Sequence, residues 1–261
     1  MRIISLNIWG GKIFNPLLKF ISEEADKTDI FCFQEVFFLR RNNTPIFSDA
    51  KEAIFFEIQK ILREFQSVKM LAPEKVLFEM KRLPAHLLVG ETIFIKSKFN
   101  ILDSGGFITY DIENEIFLRE GIHNGGCFQY VRITDLSKEF LIGNLHGLWQ
   151  SDGKDDSPDR NYQTKKVLDF FNSYKCGKIL MGDFNIRPAS ASIKNFNKIF
   201  SNLIEKNNIS KTRTVFYKDM EKYGDYISDY AFVSPDISVK SFIAPEEIIV
   251  SDHSPLILEI S

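Results

Sequence analysis

The sequence is poor in cysteine and contains no long hydrophobic run. Its three cysteines, Cys32, Cys127 and Cys176, form no Cys-x-x-Cys pair, which argues against a disulfide framework and against a structural zinc site. No stretch approaches the roughly 18 uninterrupted apolar residues that a membrane-spanning helix needs. Ser5 and Asn7 interrupt the N-terminal apolar run, which shows no cleavage pattern. We therefore expect a protein of the cytoplasm without a membrane span.

An excess of positive charge is also missing. Lysine and arginine number 33 against 35 aspartates and glutamates, so the formal net charge is -2 and the isoelectric point is about 6.1. The chain thus lacks the general positive field of a non-specific nucleic-acid coat protein. Charge is nevertheless uneven, because residues 194–222 hold seven basic residues against three acids, whereas 151–159 hold four aspartates. The basic stretch favours a phosphate-rich ligand, while the acidic loop, if it lies beside a cleft, would repel a long polyanion.

Linkers and internal repeats are absent from the sequence as well. No Gly/Ser-rich or Pro-rich stretch divides the 261 residues, so we expect a single domain over 1–261 that acts as a monomer. Short runs of Ile, Phe and Val alternate with stretches of helical period, which is typical of an α/β protein. About a dozen strands and four helices imply two packed sheets flanked by helices. The predicted strands span 2–8, 29–36, 67–72, 75–80, 87–95, 100–110, 127–134, 139–146, 178–184, 226–233, 239–243 and 255–260; the predicted helices follow Asn15-Pro16, Ser48-Asp49 and Ser157-Pro158, with a fourth over 190–206.

Polar side chains stand at the ends of several predicted strands. Asp183 and Asn185, in the motif GDFN, follow a buried strand and share one face of the chain, where they could position a water molecule and a phosphoryl oxygen. Asp252 and His253, in the motif SDHSP, precede the last strand, and histidine is the natural proton carrier at neutral pH. Each motif alone also fits a polar turn that bonds the local backbone.

Three more strands end in residues suited to the same chemistry. Glu35 ends the apolar strand FCFQEV, and a carboxylate there is costly unless it is paired or bound to a metal such as Mg²⁺ or Mn²⁺. His146 and Asn144 end another strand, and Asp229 lies at the edge of SDYAFV. Taken singly, these residues also fit a solvated strand end, a structural histidine and a cap. Taken together with Asn7 and the two motifs above, they predict one ligand site at the strand ends.

The sequence resembles the endonuclease/exonuclease/phosphatase superfamily, which includes deoxyribonuclease-like nucleases, abasic-site endonucleases, inositol polyphosphate 5-phosphatases and neutral sphingomyelinases. The resemblance rests on SLNIWG, FCFQEV, NLHG, LMGDFN, SDYAFV and SDHSPL, which occur here in the family's order. It implies a four-layered α/β sandwich in which two mixed β-sheets pack face to face with helices on the outside. The active site is then expected at one end of the sandwich.

The resemblance also implies roles for the residues around the metal and the water. Glu35 resembles the principal ligand of Mg²⁺, which Mn²⁺ could replace, and Asn7 and Asp252 lie in or near its shell. Asp183 is expected to orient or deprotonate the attacking water, and Asn185 to hold that water or a phosphoryl oxygen of the substrate. Where abasic-site endonucleases have Asn-x-Asp in the first strand, this sequence has Asn-Ile-Trp, which weakens the case for abasic-site repair.

Further roles implied by the resemblance concern the two histidines and the substrate. His253 resembles the histidine that Asp229 orients, and His146 the second group that faces the scissile phosphate. Glu91 resembles the glutamate that orients this second histidine in deoxyribonucleases, and Arg119 resembles an arginine that contacts substrate phosphate. Arg160 and Gln163 could face the site, but our interpretation of these two residues is a solvated helix end.

The predicted function is hydrolysis of a phosphodiester by in-line attack of an activated water, in a Mg²⁺-dependent nuclease or nucleotide-type phosphodiesterase. A phosphatase or phosphodiesterase of a small molecule or a lipid headgroup is the alternative. A third hypothesis is a non-catalytic binding module that keeps the fold. The first two share a phosphate-ester substrate, which for the first includes nucleic acid.

Overall fold

The structure is a computed structural model, and its described residues form two six-stranded mixed sheets and one two-stranded hairpin. The described residues are 1–39, 53–72, 77–78, 81–83, 87–110, 125–136, 138–150, 153–217, 224 and 226–261. The strands are β1 (Arg2–Asn7), β2 (Ile30–Leu39), β3 (Phe65–Leu71), β4 (Leu77–Phe78), β5 (Lys81–Arg82), β6 (Leu87–Lys96), β7 (Asn100–Ile108), β8 (Cys127–Asp135), β9 (Lys138–His146), β10 (Gly177–Asp183), β11 (Ser201–Asn202), β12 (Asp229–Val233), β13 (Val239–Ile243) and β14 (Leu256–Ile260). The helices are α1 (Phe14–Ala25), α2 (Ile54–Ile61), α3 (Pro158–Asn172), α4 (Ala191–Asn197) and α5 (Leu203–Lys206), with a single 3-10 turn at Trp9–Gly11.

Each sheet contains one parallel pair of strands near its centre. The first sheet has the order β13-β14-β1-β2-β6-β3, and β1 runs parallel to β2. The second sheet has the order β11-β12-β10-β9-β8-β7, and β9 runs parallel to β10. The two parallel pairs lie face to face in the sandwich. The carboxyl ends of β1, β2, β9 and β10 therefore meet at one end of the molecule, which is where polar strand-end residues converge.

Two hydrophobic layers hold these sheets and the helices together. Successive side chains of a strand point to opposite faces, so Ile3 and Cys32 enter the layer between the sheets, whereas Ile4, Phe31 and Phe33 enter the layer beneath α1 and α2. Helices α3 and α4 contribute buried side chains to the layer of the second sheet. The four-layered α/β sandwich predicted from the sequence is confirmed.

The prediction of one helix over 190–206 is wrong. The segment forms α4, then the short strand β11, and then α5. Ser201 and Asn202 pair with Val233 and Phe232 on the edge of β12, and the side chain of Asn202 accepts a hydrogen bond from the backbone N of Ile204 at 3.1 Å. Backbone pairing with an open sheet edge and a new N-cap thus interrupt a pattern of helical period.

Other boundaries differ by a few residues from the predictions. Only 77–78 of the predicted strand 75–80 is described, as β4, which pairs with β5. The predicted strand 226–233 begins at Asp229. The predicted helix start at Ser48-Asp49 lies outside the described residues, and the helix is described from Ile54. Among the described residues, no helix has the length and apolar character needed to cross a membrane.

Candidate active site

The polar residues predicted from the sequence come together at the carboxyl ends of the two parallel strand pairs. His146 at the end of β9 is the register partner of Asp183 at the end of β10, and Asp183 is also paired with Asp229 at the start of β12. Asn7 ends β1, and its side-chain Nδ2 donates to Asp183 Oδ2 across the two sheets at 3.3 Å. We call the following nine buried residues the site cluster: Asn7, Glu35, Glu91, His146, Asp183, Asn185, Asp229, Asp252 and His253.

The backbone departs from regular geometry where it presents the cluster. Strand β2 shifts register between Phe33 and Val36, and Glu35 within this bulge has a φ of 56°. Asn185 has a φ of 54°. Such left-handed conformations cost free energy for residues other than glycine, and they persist where the surrounding fold imposes them. Gly182 in GDFN has a φ of 143°, and a Cβ there would lie 2.0 Å from the carbonyl O of Leu145, so no other residue fits.

His253 is held by a carboxylate on its far side. Its Nδ1 lies 2.8 Å from Asp229 Oδ1, and the second oxygen of Asp229 accepts hydrogen bonds from Thr212 Oγ1 at 2.7 Å and from Ser228 Oγ at 3.0 Å. Burial and the nearby Arg213 lower the pKa of His253, but Asp229 and two further aspartates outweigh them and raise it above its ordinary value. The Nε2 atom lies 3.5 Å from Asp183 Oδ2.

His146 is held in the same manner from the other sheet. Its Nδ1 lies 3.1 Å from Glu91 Oε1, and its Nε2 lies 3.5 Å from Glu35 Oε1. Burial lowers the pKa of His146, but the hydrogen bond with Glu91 and the charge of Glu35 prevail and raise it to about 9. The imidazole is therefore protonated at neutral pH and can donate from Nε2 to an oxyanion.

Asp183 lies between the two histidines and is fixed by neighbouring amides. Its Oδ1 accepts from the backbone N of Asn185 at 3.0 Å, and the side chain of Asn185 is itself fixed, because its Nδ2 donates to the carbonyl O of Gly147 at 3.0 Å. Burial raises the pKa of Asp183, but His253, Arg213 and other cations hold it well below its usual range. Asp183 therefore remains an ionised hydrogen-bond acceptor suited to orienting a water molecule.

The charges and donor atoms of the cluster fit a divalent cation. Five carboxylates, those of Glu35, Glu91, Asp183, Asp229 and Asp252, are buried in this cluster. Burial raises the pKa of Glu35 to about 6, and the charge of Asp252 contributes to this rise. A hard cation would relieve this cost, since carboxylate and amide oxygens are the ligands that Mg²⁺ and Mn²⁺ prefer.

Two sets of residues compete as ligands of such a cation. Asp183, Asp229 and His253 each offer one atom within 4.8 Å of the others. However, the oxygens of Asp229 already accept from Thr212, Ser228 and His253. The set of Glu35, Asn7 and Asp252 offers oxygen ligands without a nitrogen, although Asn7 Oδ1 accepts from the backbone N of Trp9 at 3.0 Å, and it includes Glu35, whose pKa burial raises to about 6. On these grounds the second set fits a hard cation better.

Arg213 and Lys154 are buried cations of the site that the sequence analysis did not single out. Arg213 Nη1 lies 3.3 Å from Asp252 Oδ2, and Nη2 lies 3.8 Å from Asp183 Oδ2. Lys154 is 4% exposed and helps to hold the pKa of Asp183 low. In the sequence, Arg213 and Lys154 belong to the stretches 194–222 and 151–159, which were noted only for their charge. No motif around either residue indicated that it would be buried in the site.

The interpretation of Arg160 and Gln163 as a solvated helix end is wrong. Arg160 is 1% exposed and donates to the carbonyl oxygens of Gly153 and Asp155 at 2.7 and 2.6 Å. Gln163 Oε1 accepts from the backbone N of Leu148 at 2.9 Å. The first turn of α3 thus fixes the loop that follows β9, and the amphipathic period of the helix could not reveal this. Arg119 lies outside the described residues.

Two aspartates of the acidic loop before α3 form contacts within the fold. Asp155 pairs with Arg187 at 3.0 Å. Asp156 accepts from the backbone N atoms of Ala191 and Ser192 at the start of α4, at 2.6 and 3.0 Å. The expected repulsion of a polyanion by this loop is therefore weakened for these two aspartates, whose charges are engaged within the fold.

The fold is shared with solved structures that are only distantly similar in sequence. An endonuclease/exonuclease/phosphatase family protein from Leptotrichia buccalis superposes with a TM-score of 0.70 at 18% identity, over 100% of this chain and 99% of that one. The human nocturnin catalytic domain has a TM-score of 0.68 at 18% identity, over 100% and 93%. A mannosyl-6-phosphatase from Bacteroides thetaiotaomicron has a TM-score of 0.67 at 18% identity, over 100% and 99%. At this level of identity, the likeness shows the fold alone.

The family is shown by the sequence itself. No protein of curated function matches this chain significantly. The model of the Endonuclease/Exonuclease/phosphatase family matches residues 4–253, a range that contains the whole site cluster. Members of this family hydrolyse phosphoester bonds and generally depend on a divalent metal ion. The chain therefore belongs to the endonuclease/exonuclease/phosphatase family and is a hydrolase of phosphoester bonds.

Proposed function

We propose that this protein is a Mg²⁺-dependent phosphodiesterase, of the nuclease or nucleotide-type class, that hydrolyses its substrate by in-line attack of an activated water. One observation carries the proposal: two buried histidine–carboxylate pairs, each joining a residue of one sheet to a residue on the side of the other, converge on the ionised Asp183. His253 Nε2 lies 3.5 Å from Asp183 Oδ2, and the charge of Asp183 also acts on His146. A cytoplasmic location, a monomeric state and a single domain over 1–261 stay predictions.

The chemistry requires neutralised charge and a protonated leaving group. A phosphodiester resists hydrolysis because its negative charge repels nucleophiles and because an alkoxide leaves poorly. When bound by Glu35, Asn7 and Asp252, Mg²⁺ would supply Lewis-acid stabilisation of charge on the phosphoryl and leaving oxygens.

The remaining roles fall to side chains of the cluster. Asp183 orients the attacking water toward phosphorus and accepts the proton that the water loses as its oxygen bonds to phosphorus; because the pKa of Asp183 is low, this proton then passes to solvent. Asn185 holds the same water or a phosphoryl oxygen. His146, protonated at neutral pH, gives its Nε2 proton to the leaving oxygen as the bond from that oxygen to phosphorus breaks. His253, whose pKa Asp229 raises, donates from Nε2 to a phosphoryl oxygen in its protonated form. No covalent intermediate on the protein is needed.

A phosphatase of a small molecule or lipid headgroup is the second candidate. The mannosyl-6-phosphatase among the structural neighbours has the same fold over nearly its full length, and the net charge of -2 gives no general attraction for long polyanions. Two observations favour a diester substrate. The stretch 194–222 is basic, and Asp155 and Asp156 are engaged by Arg187 and by the start of α4. The two candidates share the site cluster and differ in the substrate.

The first experiment compares bis-p-nitrophenyl phosphate with p-nitrophenyl phosphate, each with Mg²⁺, Mn²⁺ or EDTA. We expect metal-dependent release from the diester and a loss of at least about 10²-fold in Asp183→Asn. Asp169→Asn is the matched control, because Asp169 pairs with Lys165 on the exposed face of α3. Diesterase activity leads next to panels of DNA, RNA and nucleotides, whereas release from the monoester alone supports the phosphatase. Activity that survives EDTA or Asp183→Asn contradicts the mechanism.

A further inference from the structure

Arg213 is held against the reacting end of the site by its backbone as well as by its side chain. It forms a β-bridge with His253, and its neighbours Thr212 and Thr214 bond the backbone of Ser254 and Asp252 at 2.9 and 3.0 Å. Its side chain is 5% exposed. The segment therefore fixes Arg213 to the same loop that carries His253, and the guanidinium follows any adjustment of that loop.

The guanidinium is directed at the atoms that would surround a reacting phosphate. Nη1 contacts His253 Nε2, the atom that the proposed mechanism turns toward the phosphoryl group. Asp183 and Asp252, on the water and metal sides of the site, lie within 4 Å of the guanidinium. Arginine and histidine donors that converge on one point form a cradle for an oxyanion, because a phosphoryl oxygen can accept from both.

Lys154 and Arg213 both contact one aromatic ring, that of Tyr217. The Cζ atom of Arg213 lies 4.3 Å from the ring centroid of Tyr217, and Lys154 Nζ lies 5.2 Å from that centroid. Cation–π contacts of this kind hold a cation in place without neutralising it. Tyr217 thus contacts both positive charges, and both lower the pKa of Asp183.

The fold fixes Lys154 through its neighbours in the chain. Arg160 donates to the carbonyl oxygens of Gly153 and Asp155, which precede and follow Lys154. The carbonyl O of Lys154 accepts from the backbone N of Arg187 at 3.0 Å. Burying an arginine is costly, and here its hydrogen bonds anchor the loop on both sides of Lys154. This arrangement is what a preorganised binding group requires.

We propose that Arg213 and Lys154, which both contact the ring of Tyr217, form a phosphate-binding pair that contacts the nonbridging oxygens of the phosphate group undergoing hydrolysis. The proposal rests on the proposed phosphoesterase function and adds two substrate-binding residues to it. Arg213 binds the oxygen that also faces His253, and Lys154 supplies a second positive charge on the Asp183 side. The pair adds charge neutralisation to that of the metal.

The test is the affinity of the Mg²⁺-loaded protein for inorganic phosphate, measured by calorimetry. We expect Arg213→Lys to weaken phosphate binding about tenfold, because a lysine cannot reproduce the fork of guanidinium donors, and Lys154→Met to weaken it by a similar factor. Lys211→Ala is the matched control: it removes a charge two positions from Arg213, where Lys211 lies at 4.0 Å from Glu246. We expect its affinity to equal that of the unmodified protein.

Thermal melts establish that the variants fold. If Arg213→Lys does not fold, the phosphate affinity of Lys154→Met tests the proposal. The pair is contradicted if the folded variants keep phosphate affinities within about twofold of the unmodified protein, or if the unmodified protein binds no phosphate. The proposed function can fail separately. If the protein binds phosphate through Arg213 and Lys154 but hydrolyses no ester, the phosphate-binding proposal is supported and the proposed function is contradicted. Conversely, if the protein hydrolyses esters and both variants keep the phosphate affinity of the unmodified protein, the proposed function is supported and the phosphate-binding proposal is contradicted.

Discussion

Each histidine of the site is held at Nδ1 by one carboxylate, which leaves its Nε2 to face the other sheet. For His253 the carboxylate is Asp229, at 2.8 Å. We expect Asp229→Asn to lower kcat by about 10³-fold, because an amide no longer favours the imidazole tautomer and charge that the reaction uses. The same variant should lower the pKa of His253, which histidine NMR measures directly. Asp169→Asn on the exposed face of α3 is the control, and a pKa of His253 unchanged in Asp229→Asn would contradict this role.

Glu91 holds Nδ1 of His146 in the same way, and this contact predicts how activity depends on pH. The hydrogen bond with Glu91 is the largest contribution that raises the pKa of His146, to about 9. In Glu91→Gln the imidazole loses its proton at lower pH, so the alkaline limb of the pH profile of kcat/KM should move down by about one pH unit or more. Glu57→Gln, on an exposed face of α2, is the matched control. An alkaline limb that does not move would show that His146 does not donate a proton in the rate-determining step.

The residues that recur in short motifs were predictable, and those that act through distant contacts were not. GDFN and SDHSP placed Asp183 and His253 correctly at the strand ends, because a strand that ends in polar residues must expose them or gather them in a site. Arg213 carries no such signal, since its position depends on a β-bridge with His253, 40 residues further along the chain. The role of Arg160 likewise depends on loop carbonyls that only the folded chain brings within reach.

At the scale of elements, a loop and a helix start stabilise each other. Asp156 accepts from the backbone N atoms of Ala191 and Ser192 and from the Oγ of Ser192, and these contacts hold its pKa below the ordinary value despite some burial. We expect Asp156→Ala to lower the free energy of unfolding by about 1 kcal/mol, the usual cost of losing an N-terminal acceptor. Urea denaturation measures the change.

The pH dependence of this loss gives the prediction a second readout. An aspartate with a depressed pKa stabilises the folded state above its ordinary pKa, and this contribution disappears as the pH falls through the lower folded value. The difference between Asp156→Ala and the unmodified protein should therefore be present at pH 7 and shrink below about pH 4. Asp169→Ala is the control on α3, and an equal loss in that variant would contradict a specific role of Asp156 at α4.

The same scale shows why one helix was predicted where two occur. Ile193, Phe196, Phe200 and Leu203 are all buried in one hydrophobic layer, so the pattern of apolar residues is genuine. The period could not reveal that Ser201 and Asn202 find backbone partners on β12. The break in the helix lets the apolar side chains pack in the core while the backbone of Ser201 and Asn202 pairs with β12. Local helix propensity does not encode such a tertiary effect.

For the whole molecule, the strand and helix patterns predicted two packed sheets flanked by helices, and the resemblance to the family implied the four-layered sandwich and the end at which the site forms. A buried polar contact between residues of two of these motifs also joins the two sheets, and the motifs themselves did not indicate that the two residues meet. Gln34 Nε2 donates to Asn144 Oδ1 at 2.5 Å, and Asn144 Nδ2 donates to the carbonyl O of Phe33 at 3.1 Å. These bonds connect β2 to β9 directly behind Glu35 and His146, so the relative position of the two sheets and the geometry of the site are fixed together.

The raised pKa values of Glu35 and His146 predict how pH and metal binding change the stability of the protein. Glu35 has a pKa of about 6 against an ordinary 4.5, and His146 one of about 9 against 6.5. Between pH 4.5 and 9 the folded state thus binds more protons than the unfolded state, and its free energy of unfolding falls as the pH rises. In EDTA we expect a decrease of about 4 kcal/mol from pH 5 to pH 9, measured by urea denaturation.

Saturating Mg²⁺ should reverse this trend, because the ion binds the ionised form of Glu35 and competes with its proton. The gain in melting temperature on adding Mg²⁺ is therefore expected to be larger at pH 8 than at pH 5.5. Glu35→Gln should abolish the gain and flatten the acidic part of the stability profile, whereas Glu57→Gln should leave both unchanged. A metal-free stability that rises between pH 5 and pH 9 would contradict the raised pKa values of Glu35 and His146. A Mg²⁺ effect that persists in Glu35→Gln would show that the ion is bound elsewhere than at Glu35.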